Sequence, residues 1–299
     1  MRIRVMTADD AEVVSRLRRE VYSYSVMSPA YIAHQFATRS AAERQLGLIA
    51  EDGGQVVGMG TAGLNVWTSE PGQSEVAIQV HPSHRRRGIG GALAERLHGH
   101  LGEVGALRIR TFATPAGLSF AVALGYEPSR EMHYSGVDPR VLPEQPAVPD
   151  GIRIATLDTL EPRQIFLADT IATLDEPSDS PMDSVDYDDW VKEIWESPAS
   201  DKTLSVAALA GDEVVCFTAV AADGDRAWSD MTGTVPGYRG RGLAKLVKSV
   251  ALRRCAEAGI TGAFTSNDDT NSPMLAINDW LGYRRIETQT SLLRTLGVR

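Results

Sequence analysis

Ile89, Leu93, Leu97 and Leu101 recur every four residues, which predicts a helix with one apolar stripe laid against a sheet. Before it, Leu46–Ala50, Gln55–Val66 and Glu75–Val80 alternate or run apolar as strands do, and Asp52-Gly53-Gly54 supplies a hairpin turn. Arg2–Met6 reads as a strand, Asp9–Tyr22 as an amphipathic helix and Pro29–Ala37 as a second helix. Leu107–Phe112 reads as a further strand, followed by a short helix into Leu124 and a closing strand. Antiparallel strands interrupted by helices predict an α+β fold, a mixed and mostly antiparallel sheet flanked by helices.

The same order returns in the second half. Ile3-Arg4-Val5 is answered by Ile152-Arg153-Ile154, and Leu124-Gly125-Tyr126 by Leu281-Gly282-Tyr283. Between these pairs, Arg85-Arg86-Arg87-Gly88-Ile89-Gly90 is answered by Arg239-Gly240-Arg241-Gly242-Leu243-Ala244. The spacing between partners grows slowly along the chain, as it does in a duplicated unit with small loop insertions. Residues 139–150 carry Pro139, Pro143, Pro146 and Pro149 with few helix or strand signals, a stiff linker by composition. The expected organisation is therefore an N-terminal domain over 1–138, a linker over 139–150 and a C-terminal domain over 151–299, since 299 residues exceed one compact core.

Composition narrows the partners. With 43% hydrophobic and 23% charged residues the chain is not a disordered one. The longest uncharged run, Gly53 to Ser69, is interrupted by glycines and polar residues and falls short of the roughly 20 apolar residues of a membrane helix, so no membrane span is expected. Arg2, Arg4, Asp9 and Asp10 occupy the place of a signal's apolar core, so a cytoplasmic location is expected. Cys216 and Cys255 are too few for a disulfide framework and read as buried thiols. The net charge of −9 speaks against nucleic acid or an anionic membrane as partner, and the acidic surplus lies wholly beyond residue 145. All six histidines fall in the first half without cysteines or carboxylates at ligand spacing, so no metal is expected. A monomer and a homodimer both remain open.

The two Gly-rich runs carry the chemistry. A strand that feeds a helix through Arg-x-x-Gly-x-Gly/Ala leaves the first helix amides unpaired and lets an anion approach a backbone without side chains. The helix N-terminus adds partial positive charge, so a pyrophosphate suits it. Neither run has the Gly-Lys-Ser/Thr of a Walker loop, and a dinucleotide fingerprint would need glycines where Leu93 and Lys245 stand.

The motif Val/Thr-x-Pro-x-x-Arg-x-x-Gly-x-Gly/Ala, followed about 35–40 residues later by Leu-Gly-Tyr, resembles the signature of the GNAT superfamily of N-acetyltransferases. It occurs in both halves, so the chain resembles the tandem, mycothiol-synthase-like members of that family. The resemblance implies acetyl-CoA as co-substrate, with its pyrophosphate on Val80, Arg85, Arg86, Arg87, Gly88, Ile89, Gly90 and Gly91 in the first half. In the second it implies Thr234, Val235, Arg239, Gly240, Arg241, Gly242, Leu243 and Ala244. Asn271 matches the family's cofactor-arm asparagine, and an N-cap of the last helix accounts for it equally well. The slots where relatives carry a basic Glu and an acidic Tyr hold Ser74 and Ala121 in the first half and Trp228 and Asn278 in the second.

An ammonium has no lone pair, so acetylating an amine requires a base. Asp230, two residues past Trp228 and on the same strand face, is the leading candidate; a strand-edge ion pair is the plainer reading. Glu75 is the weaker candidate, one residue off the Ser74 slot and on the opposite face unless a bulge turns it. Between Asp175 and Glu196 nine carboxylates face Lys192 alone, and Asp186, Asp188 and Asp189 within that segment are candidates for attracting a cationic amine; a solvated loop is the alternative. The expected function is acetyl-CoA-dependent N-acylation of a small, cationic amine, with chemistry in the C-terminal domain. A non-catalytic acyl-CoA-binding protein and a protein-lysine acetyltransferase stay open beside it.

Overall fold

Along the first half, short strands alternate with helices in the order that the hydrophobic pattern predicts: β1 (Arg2–Val5), α1 (Ala11–Val21), α2 (Pro29–Thr38), β2 (Leu46–Asp52), β3 (Gln55–Leu64), β4 (Gln73–Val80), α3 (Ile89–Glu103), β5 (Arg108–Ala113), α4 (Pro115–Ala123) and β6 (Glu127–Val137). The second half repeats the series as β7 (Ile152–Thr156), α5 (Pro162–Thr173), α6 (Tyr187–Trp190), β8 (Val206–Ala210), β9 (Glu213–Asp223), β10 (Arg226–Thr234), α7 (Leu243–Glu257), β11 (Gly262–Asp268), α8 (Ser272–Leu281) and β12 (Arg284–Thr295). These elements come from a computed structural model that describes residues 1–297.

The chain divides into two units, and the division is not the one the repeat predicts. Unit 1 is Met1–Glu131 together with the residues from Gln289 onward, and unit 2 is Met132–Thr288. In unit 1, β1, β2, β3 and β4 pair antiparallel in sequence, β4 pairs parallel with β5, and β5 pairs antiparallel with β12. In unit 2, β7 to β10 pair antiparallel in sequence, β10 pairs parallel with β11, and β11 pairs antiparallel with β6. Each half thus lends its closing strand to the sheet of the other. Residues 139–150, expected as a linker between domains, carry no helix or strand and fall inside unit 2. The repeat could not reveal this, because both closing strands follow Leu-Gly-Tyr and have like patterns, so either satisfies the bare edge of β5 or β11.

The predicted stripe of α3 packs as its period requires, with Leu93, Leu97 and Leu101 wholly buried and Ile89 nearly so. Burying each such side chain stabilises the unit by about 1.5–3 kcal/mol. In unit 2, α7 buries Leu243, Leu246, Val247, Ala251 and Leu252 against β8, β9 and β10. Cys216 and Cys255 are buried thiols, and desolvation pushes both up to about 12. Among the described residues no helix is long and apolar enough to cross a membrane.

Candidate active site

The two Gly-rich runs adopt one backbone conformation. Each opens a helix at a glycine in the left-handed region, Gly88 at φ 81° before α3 and Gly242 at φ 77° before α7. Two residues earlier the same region recurs, occupied by Gly240 at φ 73° in one loop and by Arg86 at φ 63° in the other. Arg86 pays about 1 kcal/mol for that conformation, which a glycine adopts freely. Side chains brace both loops alike: Arg85 Nε donates to the Val80 carbonyl at 3.2 Å and Arg239 Nε to that of Thr234 at 3.0 Å. Arg87 and Arg241 likewise turn back onto the carbonyls of Ser83 and Gly237. A Cβ built on Gly88, Gly91, Gly240 or Gly242 would meet no heavy atom within 4 Å, so the backbone amides at each helix start face open space of the kind a pyrophosphate needs.

Each loop sits beyond a split between two parallel strands. The β4–β5 ladder runs from Gln73↔Arg108 to Glu75↔Arg110 and stops, although both strands continue. In unit 2 the β10–β11 ladder stops at Trp228↔Phe264, and the Thr265 hydroxyl donates to the Ser229 carbonyl at 3.0 Å just beyond the last pair. Immediately past that apex the register of β10 against β9 slips between Ser229 and Thr232, a bulge at Asp230 and Met231.

In unit 1 the split opens into a cavity of about 610 Å³, lined by Val80, Arg85, Arg86, Gly88, Ile89, Gly90 and Gly91 of the predicted loop and by Thr111 to Thr114 across it. Gln79 also lines it, 5% exposed, with an Oε1 that lacks a hydrogen-bond partner. A buried orphan acceptor beside an apolar channel suits an amide N–H of a pantetheine arm. At the cavity wall His98 hydrogen-bonds the Tyr126 hydroxyl at 2.7 Å, and desolvation lowers its pKa to about 4, with the Arg294 charge adding to the effect. Gln79 and His98 escaped the sequence reading because no motif marks them.

The predicted bases part company. Glu75 lies on a stretch of β4 whose register to β3 does not shift, so no bulge turns it, and Arg110 holds its carboxylate at 2.7 Å. That engagement is the physical reason against Glu75 as a free base. Asp230 stands in the β10 bulge, reached by solvent yet surrounded closely enough that desolvation raises its pKa, while a hydrogen bond from Trp228 opposes the rise. A second carboxylate, Asp169 of α5, is raised to about 6 by burial and also by the charge of Asp230.

The acidic segment is more structural than expected. Asp186 caps α6 by accepting from the amides of Asp188 and Asp189, and Asp189 lies 3.9 Å from Lys192. Asp175 pairs with Arg239 of the second Gly-rich loop at 2.5 Å. Asn271 caps α8, its Oδ1 accepting from the Met274 amide at 3.3 Å, which is the alternative weighed beside cofactor binding. Asn278 is buried, its Nδ2 donating to Asn267 Oδ1 at 2.6 Å and its own Oδ1 without a partner. Tyr126 and Tyr283 are core residues, 2% and 4% exposed. Among the described residues no group of three or more histidines, cysteines or carboxylates could hold a metal ion.

The fold has counterparts in known proteins. The acetyltransferase (GNAT) family model matches residues 12–125. A mycothiol acetyltransferase of Streptomyces scabiei is 29% identical over 220 residues, covering 71% of this chain and 68% of its own. That of Catenulispora acidiphila is 29% identical over 233 residues, 76% of this chain and 74% of its own. A tandem GNAT protein from the clavulanic acid biosynthesis pathway shares the fold with a TM-score of 0.76 at 20% identity, across 100% of this chain and 99% of that one. Residues 12–125 carry a GNAT domain, and the whole chain has the tandem GNAT fold. A GCN5-related N-acetyltransferase from Sphaerobacter thermophilus has the same fold, with a TM-score of 0.74 over 99% of this chain and 96% of its own at 17% identity. The GNAT chain is thus an N-acetyltransferase, of a family whose co-substrate is acetyl-CoA.

Proposed function

We propose that this GNAT protein transfers the acetyl group of acetyl-CoA to the primary amine of a small cationic molecule, and that transfer takes place in unit 2. The observation that carries this reading is Asp230, a carboxylate with a raised pKa at the strand bulge beside the β10–β11 split. A raised pKa makes a better base, and the bulge takes the residue out of the regular ladder just past the last β10–β11 pair. In unit 1 the corresponding slot is Ser74, whose hydroxyl is spent on the Arg108 carbonyl at 2.9 Å, and Glu75 is held by Arg110. We therefore assign unit 1 the holding of an acyl-CoA and unit 2 the reaction.

The amine nitrogen gives one proton to Asp230, and its freed lone pair attacks the thioester carbonyl. Collapse of the tetrahedral intermediate breaks the C–S bond, the sulfur leaves with the electron pair, and the nitrogen releases its remaining surplus proton to solvent. Asn278 has no acidic proton to offer and Tyr283 is buried with its pKa raised, so the thiolate is protonated by water. A thiol of ordinary pKa near 8.5 leaves tolerably without an acid.

The lack of an acid at Asn278 favours one rival, an acyl-CoA-binding protein without catalysis. Thiol release from acetyl-CoA, measured against polyamines, aminoglycosides, amino acids and amino sugars, separates the two. Amine-dependent release is expected for at least one of these classes; tight acetyl-CoA binding with no release for any of them would favour the rival.

A further inference from the structure

Each unit is a control for the other, because helix starts and strand registers identify equivalent places in the two. Helices α3 and α7 both run for 15 residues from a left-handed glycine, so His98 holds in α3 the place of Leu252 in α7. Ile109 and Ala263 are the middle partners of the two parallel ladders. Arg294 of β12 stands opposite Ile109, and Val137 of β6 stands opposite Ala263. Packing repeats the match: a Cβ on Gly125 would lie 3.7 Å from Arg294 Nε, and one on Gly282 would lie 3.7 Å from Val137 Cγ2. Since unit 2 folds with Leu252 and Val137, the fold itself does not call for His98 and Arg294. Burying polar groups there is unfavourable unless their hydrogen bonds are made.

In unit 1 the two residues join Tyr126 in one chain of hydrogen bonds. Arg294 Nη1 lies 3.2 Å from His98 Nδ1, and His98 Nε2 lies 2.7 Å from the Tyr126 hydroxyl. A guanidinium has only donors, so Nδ1 must accept. Burial and the Arg294 charge keep the imidazole neutral, so its single proton sits on Nε2 and is donated to the Tyr126 oxygen. The hydroxyl hydrogen of Tyr126 must then point elsewhere, and among the described residues no acceptor takes it.

Tyr126 and His98 both belong to the wall of the unit 1 cavity, as does Gln79 with its orphan acceptor. The cavity thus offers a hydroxyl donor and an amide acceptor between apolar side chains such as Val76, Ile78 and Leu124. His98 follows Ile89, the first residue of α3, by nine residues, about 14 Å along the helix. About twelve bonds separate the pyrophosphate ester oxygen of CoA from its sulfur, and at roughly 1.2 Å of advance per bond they span about 14 Å. The acyl-bearing end of the arm is therefore the part that reaches Tyr126.

We propose that the Tyr126 hydroxyl donates to the thioester carbonyl oxygen of acetyl-CoA held by unit 1, with His98 and Arg294 as positioning residues, so that this unit distinguishes acetyl-CoA from free CoA. This rests on the reading of unit 1 as the holder of an acyl-CoA. Free CoA ends in a thiol, a weak acceptor, and leaves the donor unmet.

Calorimetry on Gly242→Asp, verified to be as stable as wild type, reads unit 1 with the second loop closed to an anion. Acetyl-CoA is expected to bind this parent about fivefold more tightly than CoA. Tyr126→Phe keeps the core ring and is expected to abolish that preference by weakening acetyl-CoA alone. Arg294→Val copies the apolar character of the equivalent place in unit 2 and lies outside the cavity wall, yet the same loss is expected. Freed of the guanidinium, Nδ1 takes the proton and Nε2 accepts from Tyr126, which turns the donor away from the ligand. The nitrogen-15 spectrum of His98 follows that step, with the proton on Nε2 in the parent and on Nδ1 in Arg294→Val. Equal weakening of both ligands by Tyr126→Phe, weakening of neither, or a parent His98 with its proton on Nδ1 would overturn the role of Tyr126 while sparing unit 1 as holder. Loss of all acetyl-CoA binding in the parent, with wild type binding it, would overturn the holder reading and the role of Tyr126 with it.

Discussion

Lys248 tests the electrostatics of unit 2 without touching substrate. It belongs to the buried face of α7, 2% exposed, with Nζ donating to Ser229 Oγ at 2.7 Å and lying 5.7 Å from the centre of the Tyr283 ring. Among the described residues no carboxylate pairs with it, and desolvation lowers its pKa from 10.5 to about 7. The unfolded chain then binds more protons than the folded one between those values, so the native state is penalised most below pH 7 and the penalty fades as pH rises towards 10.5. At about 1.4 kcal/mol per pH unit, the full penalty is roughly 5 kcal/mol. Replacing Lys248 with Met keeps the volume and removes the charge, at a cost of about 1 kcal/mol for the lost bond to Ser229. Lys248→Met should therefore be more stable than wild type by about 3–4 kcal/mol at pH 6, with the difference shrinking steadily above pH 7. Guanidinium unfolding of both proteins at pH 6, 7.5 and 9 measures it. A difference that does not change with pH, or a variant weaker at every pH, would show that Lys248 keeps its charge in the fold and refute the reasoning.

Asp186→Ala should lose the N-cap of α6 and about 1 kcal/mol of stability, with the KM for a cationic amine nearly unchanged; thermal unfolding and steady-state kinetics check the two halves of that statement. Asp230→Asn should lower turnover at neutral pH and recover part of it as pH rises, because an amine deprotonated in solution no longer needs the base; flat, wild-type turnover across the pH range would remove Asp230 from the mechanism.

Much of the fold was legible because it rests on local periodicity. The stripe Ile89, Leu93, Leu97, Leu101 fixes a helix and its buried face, and the left-handed glycines Gly88 and Gly242 mark where each helix begins. Partner choice between strands was not legible: β6 and β12 carry similar patterns, and nothing local tells either which sheet it closes. The site divides the same way. The loops follow from a motif, whereas Glu75 could be read as a base only until Arg110 appeared across the ladder. Asp186 could be read as a substrate contact only until its carboxylate was found on two helix amides. Asp169 and Lys248 did leave a signal in the sequence, a charged residue on an otherwise apolar helical face, at Ile165-x-x-Ala168-Asp169-x-x-Ala172 and at Val247-Lys248-x-x-Ala251-Leu252. Its meaning depends on what the opposing strand brings, and that is tertiary information.

The central claim, transfer in unit 2 with unit 1 as holder, is tested most directly by placing a carboxylate in each Gly-rich loop in turn. Aspartate tolerates the left-handed backbone better than most residues, so Gly88→Asp and Gly242→Asp oppose the anion by charge with modest backbone cost. With equal thermal stability verified, amine-dependent thiol release from acetyl-CoA should be lost in Gly242→Asp and retained in Gly88→Asp. Release that survives Gly242→Asp and vanishes in Gly88→Asp would contradict the account and move the reaction to unit 1.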